Sequence, residues 1–268
     1  MSLRGCAGVL CVALFGCQEQ PERAQNLGNC PADNPNCAGL PPVGGGGGSG
    51  SKDGGIADGQ AGQVGALTGT VIGVASDDFT TGAAFVETAT IQADAPGTPT
   101  VSTKYDGSSY TFDVPIAPTV WLGVVPEVGS AFLPTLQAVD TASFASANLL
   151  VLRASVIEEI YALLTVPETI LPDRAHVVVR FLDAAKLTPL PGVSASHQGE
   201  VVSYDAGGTW SDTTGETGAA GYAVIVNAKA QSFTAKQKVS FVFPGVQGSV
   251  ELAMRAGAVT LADVAITK

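Results

Sequence analysis

The chain has 268 residues, and its acidic residues outnumber its basic ones by 24 to 13. A formal net charge of −11 disfavours nucleic acids and anionic lipid headgroups as partners, because both are negatively charged. The 33 glycines and an aromatic content of only 6% are typical of an extracytoplasmic β-protein with many turns.

The first 16 residues have the pattern of a secretory signal, with Arg4 before an apolar segment that runs from Gly5 to Gly16. This segment is too short to span a bilayer as a helix, which needs about 20 residues. It ends in Leu14-Phe15-Gly16-Cys17, which resembles the lipobox of bacterial lipoproteins. The resemblance implies cleavage before Cys17, acylation of Cys17 and anchoring of the chain in the cell envelope by lipid. Because Gln18 rather than Asp follows, it also implies the outer membrane.

The five cysteines support the same interpretation. Two of them lie in the signal and Cys17 is the lipid acceptor, which leaves Cys30 and Cys37. We predict that these two form a disulfide, because the segment is exported to an oxidising compartment and is rich in turn-forming residues. The alternative is a metal site, but two thiols without a nearby His or further Cys are an incomplete zinc ligand set.

Residues 17–64 are predicted to be a disordered tether. They show no hydrophobic periodicity, and they contain a run of glycine and serine from Gly44 to Ser51. About 45 residues of such coil have an end-to-end distance of roughly 35 to 40 Å. We therefore expect the tether to hold a folded body clear of the membrane.

A first β-sandwich is predicted over residues 65–153. Tyr110, Phe112 and Val114 alternate with Thr111 and Asp113, which is the pattern of a strand with one buried face. Strands rich in β-branched and aromatic residues are predicted at Thr68–Val74, Ala84–Ile91, Tyr110–Val114, Val120–Val125 and Asn148–Leu152.

A helical connector is predicted over residues 154–172. Apolar residues recur at helical spacing from Val156 to Leu164, and Ser155 with Glu158 matches a capping box. Pro167 is expected to stop this helix.

A second β-sandwich is predicted over residues 173–268. Its strands are expected at His176–Leu182, Gly192–His197, Gly199–Tyr204, Tyr222–Val226, Val239–Phe243, Gly248–Met254 and Val259–Ile266. Short strands at this spacing favour antiparallel sandwiches over a parallel sheet. The predicted fold class is therefore all-β, with two antiparallel sandwiches of the seven-stranded, transthyretin-like or Ig-like type joined by a short helix.

Two segments resemble the carboxypeptidase regulatory-like, or transthyretin-like, domain. Tyr105–Pro115 has its Asp-Gly turn, aromatic-alternating strand and Val-Pro, and Thr217–Val226 occupies the same place in the second half. Pro189–Ala195 resembles the entry to the module's second strand, whereas the stretch Glu127–Ala147 is an insertion. The resemblance implies seven-stranded sandwiches with structural, spacing, sugar-contacting or protein-contacting roles, and rarely catalysis. The Asp-Gly turn itself needs a residue with positive φ at Gly107.

Catalytic chemistry has few candidates in this chain, which has two histidines. His176 shares a strand face with Val178 and Arg180, which predicts a place on the outer or domain-facing side. His197 lies beside Ser194 and Ser196, but a hydrolase also needs an orienting acid and an oxyanion hole.

The transthyretin-like scaffold also resembles that of intradiol dioxygenases, which hold iron with two Tyr and two His. Tyr204 and Tyr222 would be the tyrosines here, but the closely spaced histidine pair of that family is absent. A divergent iron enzyme or Ser-His hydrolase therefore remains the alternative to a non-enzymatic protein.

Three residues are the candidates for ligand contact: Trp210, His197 and Tyr204. Trp210 lies among polar turn residues and could stack on a sugar, or it could cap the sandwich core. Asp77, Asp78 and Asp205 could bind Ca²⁺, although their spacing is more typical of ordinary turns. We predict a lipid-anchored envelope protein without cofactor or metal, with a surface protein or polysaccharide as its partner.

Overall fold

A computed structural model of the chain describes residues 25–26, 63–79, 81–94, 100–230 and 236–267, with the backbone alone for residues 25–26. Strands dominate this part of the chain, and a single nine-residue helix interrupts them. The predicted all-β class is therefore confirmed.

Eleven strands precede the helix in the described residues. They are β1 (Gln25–Asn26), β2 (Val64–Gly69), β3 (Val71–Val74), β4 (Gly82–Ala84), β5 (Ala89–Asp94), β6 (Val101–Tyr105), β7 (Tyr110–Pro115), β8 (Val120–Pro126), β9 (Phe132–Leu133), β10 (Thr135–Val139) and β11 (Leu149–Arg153). The helix α1 (Ala154–Ala162) follows directly.

Eight strands follow the helix within the same described ranges. They are β12 (Arg174–Asp183), β13 (Ser194–Ser196), β14 (Val202–Asp205), β15 (Trp210–Ser211), β16 (Tyr222–Lys229), β17 (Lys236–Phe243), β18 (Val246–Ala253) and β19 (Val259–Ile266).

A ten-stranded mixed sheet, which we call the central sheet, runs through both halves of the molecule. Its order is β15-β14-β16-β12-β19-β10-β8-β5-β6, and β1 pairs with β19 as a side branch. Three smaller sheets pack around it: β4-β3-β11-β9, β13-β17-β18 and β2-β7. Strands from before and after α1 thus share one hydrogen-bonded sheet.

The C-terminal strand β19 joins the two halves. Val259 pairs in parallel with Thr135 of β10 on one side and with His176 of β12 on the other. The pairing with β12 extends over eight residue pairs, as far as Asp183 and Ile266. The prediction of purely antiparallel sheets was wrong here and at β3, which pairs in parallel with β11. Residue spacing reveals strands, but it does not reveal which distant strand each one pairs with.

The short strand β1 belongs to the tether that the sequence predicts to be disordered. Gln25 and Asn26 pair in parallel with Asp263 and Val264 of β19. The pairing of β19 with β10 ends at Leu261, and β1 pairs with the residues of β19 that follow. The unpaired backbone groups of this exposed edge explain why an extended segment adds there.

The two faces of the central sheet pack against different elements. We call the face that carries Val178 of β12 the helix face, because α1 packs against it through Val156 and Ile160. The opposite face carries Val177 and Val179, and we call it the hairpin face, because the β13-β17-β18 sheet covers it. In the first half, the helix face packs against β2, β3, β7 and β11.

The helix differs in two details from its prediction. It begins at Ala154, immediately after β11, so its N-cap is Arg153, which makes no capping hydrogen bond with its side chain. The predicted capping box of Ser155 and Glu158 was therefore wrong, because Ser155 already lies inside the first turn. The helix also ends at Ala162, well before Pro167.

The turn after β6 confirms the predicted need for glycine. Gly107 has φ of +94°, and a Cβ at this position would lie 2.6 Å from the carbonyl oxygen of Val86. The Asp106 carboxylate accepts hydrogen bonds from the amide and hydroxyl of Ser108, which lower the pKa of Asp106. An Asp-Gly pair at this place also predicts a tight hairpin, and this was wrong, because the turn leads from β6 into β7, which pairs with β2 in a different sheet.

Candidate functional site

The predicted lipid and disulfide residues Cys17, Cys30 and Cys37 lie outside the described residues, so these assignments remain predictions.

His176 is fully buried on the helix face, between β12 and α1. The hydroxyl of Tyr161 lies 2.7 Å from His176 Nδ1 and also accepts a hydrogen bond from the amide of Asn227. The hydroxyl thus links the imidazole to the backbone of β16, and the buried Nε2 of His176 has no hydrogen-bond partner. Burial lowers the pKa of His176 to about 4, so the ring is neutral at pH 7. The sequence places His176 on the outer or domain-facing side, on the face of Val178; the outer alternative was wrong, because α1 covers this face.

Asn227 extends the same network into the connector. Its φ is +47°, and its amide group donates to the carbonyl of Thr169 and accepts from the amide of Leu171. The segment after α1 is thereby hydrogen-bonded to β16. We interpret the contacts of Tyr161, His176 and Asn227 as structural, because each polar group is directed into the core or toward this segment.

His197 lies at the start of a tight turn between β13 and β14. Its Nδ1 lies 2.9 Å from the carbonyl oxygen of Lys238, to which it donates. The Glu200 amide donates to the His197 carbonyl, which closes the turn. Ser194 instead donates its hydroxyl to the carbonyl of Gly215. The neighbours of His197 are therefore backbone groups rather than an activated serine.

Trp210 and Tyr204 are also buried. The indole N–H of Trp210 donates to Asp77, and its ring meets Phe79 edge-on at 5.7 Å between centroids. The Tyr204 hydroxyl exchanges hydrogen bonds with the backbone of Ala195. These contacts favour the packing role that the sequence left open for Trp210.

The candidate catalytic residues do not meet at one place. His176, Trp210 and Tyr222 belong to the core on the helix face, whereas Tyr204 belongs to the core on the hairpin face. Among the described residues, no group of three or more His, Cys, Asp or Glu side chains could hold a metal ion.

Asp205, one of the calcium candidates, holds a loop. Its carboxylate accepts hydrogen bonds from the amides of Gly218, Ala220 and Tyr222 at 2.8 to 3.0 Å. Asp78 likewise accepts hydrogen bonds from Ser76 and Thr81 within its own turn. These carboxylates act as turn and loop acceptors.

A polar surface that the sequence did not predict lies on the hairpin face of the first half. We call it the shelf, and it comprises Thr90, Gln92 and Asp94 of β5, Ser102 and Lys104 of β6, and Lys236 and Arg255 from the second half. Residues on β5 and β6 alternate in direction, because Ala89, Ile91 and Ala93 enter the core on the other face. Ser102 and Lys104 are exposed, and Thr90 and Gln92 are half-buried.

Side chains of the two halves meet at the shelf. Arg255 donates from its guanidinium to the Gln92 amide oxygen at 3.0 Å. Asp94 is only 7% exposed, and its burial raises its pKa, although a hydrogen bond from Thr100 and the charge of Lys236 act in the opposite direction. The site thus contains three basic groups and one carboxyl.

Trp121 forms the floor beside Asp94, with which it pairs across β8 and β5. It is 2% exposed, and its indole N–H is buried without a hydrogen-bond partner. Gly123, the next residue on this face of β8, pairs with Gln92. The exposed part of the shelf therefore presents the hydroxyl of Ser102 and the ammonium groups of Lys104 and Lys236, whereas Asp94 and Trp121 are buried.

The alternation from Ala89 to Asp94 is a signal in the sequence for a strand with a polar face. No local pattern could have shown that Arg255, 163 residues from Gln92, reaches the same surface.

Comparisons with known proteins give only remote likenesses. No family model matches the chain, and no curated protein matches it. The TIE protein of Bacillus anthracis aligns at 12% identity and a TM-score of 0.24, over 76% of this chain and 34% of that one. The chain therefore spans about a third of the TIE protein.

Two pilins give similar values. The shaft pilin SpaA from Lactobacillus rhamnosus GG aligns at 10% identity and a TM-score of 0.23, over 75% of this chain and 98% of that one. A streptococcal ancillary pilin aligns at 10% identity and a TM-score of 0.19, over 74% of this chain and 62% of that one. TM-scores this low do not establish a shared fold.

A search for membrane-spanning helices in the described residues found none of sufficient length and apolar character.

Proposed function

We propose that this chain is a lipid-anchored protein of the bacterial cell envelope, whose β-sheet body has a structural or binding role. Cys17 is the anchor, the outer membrane is its location, and the body presents two β-sandwich modules to a surface protein or polysaccharide. The observation that carries the proposal is Leu14-Phe15-Gly16-Cys17 at the end of a short apolar segment that follows Arg4. Two or more acyl chains hold a protein on a membrane stably, whereas one does not.

The described body supports a binding or structural role over the enzymatic alternative. The polar side chains that could have formed an active site instead bond to backbone groups and to one another inside separate cores. The exposed side chains of the shelf, Ser102, Lys104 and Lys236, offer hydrogen bonds and positive charge for binding.

The test is metabolic labelling with palmitate in a bacterium that expresses the full chain. We expect label on the wild-type protein, recovery in the membrane fraction and a mass that corresponds to cleavage before Cys17. Cys17→Ser should lose the label and remain uncut, whereas Cys11→Ser, a matched change within the signal, should keep both properties. Equal labelling of wild type and Cys17→Ser would refute the anchor.

A further inference from the structure

We infer that the shelf binds an anionic polysaccharide, with Lys104 and Lys236 contacting its carboxylates. The inference rests on the proposed function, because it takes the envelope as the place where the protein works and specifies the polysaccharide among the possible partners.

The charge of the shelf differs from that of the rest of the chain. The whole chain has a net charge of −11, yet three basic residues lie along this face of β5. Lys104 is in register with Thr90, Arg255 donates to Gln92, and the charge of Lys236 acts on Asp94. A local patch of positive charge can attract and bind a negatively charged ligand even when the protein as a whole is negatively charged. The ligand is therefore expected to be anionic.

The other groups on the shelf suit a hydroxyl-rich ligand. Ser102 is exposed and Thr90 is half-buried, so their hydroxyls can both donate and accept hydrogen bonds. The half-buried Gln92 amide adds a further donor and acceptor beside them. These groups lie on the neighbouring strands β6 and β5, which are about 4.8 Å apart, and they follow one another along the strands. An extended polymer can contact them together.

The same surface is poorly suited to other polyanions. Its aromatic residue, Trp121, is buried as the floor, so it offers no exposed ring for nucleic acid bases to stack on. Val125 is the apolar side chain on this face of β8, and it is only half-exposed, which gives little area to insert into a bilayer. A carboxylate-bearing polysaccharide satisfies both the charge and the hydroxyl groups.

The experiment measures binding of polygalacturonate to the full lipidated chain in a neutral detergent at low salt, by affinity electrophoresis and calorimetry. We expect binding that weakens as salt is raised. The double variant Lys104→Gln/Lys236→Gln should bind about tenfold more weakly, since it loses two charged contacts. Both side chains are exposed, so the double variant should fold as the wild type does, which circular dichroism checks.

The matched control is Arg153→Gln/Lys186→Gln, which removes the same charge from exposed positions away from the shelf. Its affinity should change by less than about twofold if binding is local rather than a response to net charge. An equal loss in both double variants would overturn the inference, as would no binding by the wild type.

Two further arms identify the ligand class. Dextran, a neutral polysaccharide, should bind weakly, and single-stranded DNA should bind more weakly than polygalacturonate. Equal binding of either would overturn the assignment of an anionic polysaccharide. None of these outcomes affects palmitate labelling of Cys17, so failure of this inference and failure of the anchor are distinguishable.

Discussion

The stability of the protein should depend on pH through His176. The ring is neutral in the folded state and its pKa is lowered to about 4, whereas an unfolded histidine has a pKa of about 6.5. The unfolded state therefore takes up a proton first as the pH falls. The stability that the neutral His176 ring contributes is fully present above about pH 6.5. The free energy of unfolding falls as the pH decreases from about 6.5 to about 4, and this effect levels off at lower pH.

The magnitude follows from the two pKa values. Between pH 7 and pH 5 the free energy of unfolding should fall by roughly 2 kcal/mol, and at pH 4 by roughly 3 kcal/mol. Burial is the cause of the lowered pKa, because a charged ring would lose its hydration in the core. The lowered pKa values of Asp106 and Asp212 act at more acidic pH, whereas burial raises the pKa of Asp94, so its protonation favours the folded state as the pH falls.

The assay is urea unfolding of the full chain at pH 7 and pH 5, for wild type and for His176→Gln. Glutamine does not titrate, so the variant should lose roughly 2 kcal/mol less than the wild type between the two pH values. The reasoning is refuted if wild type and His176→Gln lose equal stability between pH 7 and pH 5.

Two further predictions concern the loop clamp and the shared sheet. Asp205→Ala should lower the free energy of unfolding in urea by at least about 3 kcal/mol, because three backbone amides lose their carboxylate acceptor. The control is Asp113→Ala, which removes an exposed carboxyl and should have little effect. In a variant that retains only Trp121 or only Trp210, the fluorescence transition in urea should coincide with the transition seen by circular dichroism, because β19 pairs with strands of both halves. Two separate transitions would show that the halves unfold independently.

Local sequence patterns predicted many of the elements well. In β7, Tyr110 and Val114 are buried and Thr111 and Asp113 are exposed, as their alternation indicates. A helix was also found where apolar residues recur at helical spacing. These features depend on residues close together in the chain, which is why the sequence alone reveals them.

Long-range pairing could not be read in the same way. β10 lies within the stretch that looked like an insertion, yet it pairs with β8 and provides the contact with β19. His176 has the alternation of a strand residue on an outer face, but α1 covers that face and makes it part of a core. Which faces are covered depends on how distant segments pack, and no local pattern records this.

The shelf itself is a consequence of how the sheets differ in width. The β13-β17-β18 sheet has three strands, too few to cover the hairpin face of the ten-stranded central sheet. From the second half, Arg255 donates to Gln92 of β5, and the charge of Lys236 acts on Asp94. Side chains on the uncovered part of this face must be compatible with water, which explains why the half-buried Thr90 and Gln92 alternate with buried apolar residues along β5. The fold therefore requires polar side chains on this side of β5. It does not require a positive charge at the exposed Lys104, so Lys104 is the most informative residue at which to test a binding role.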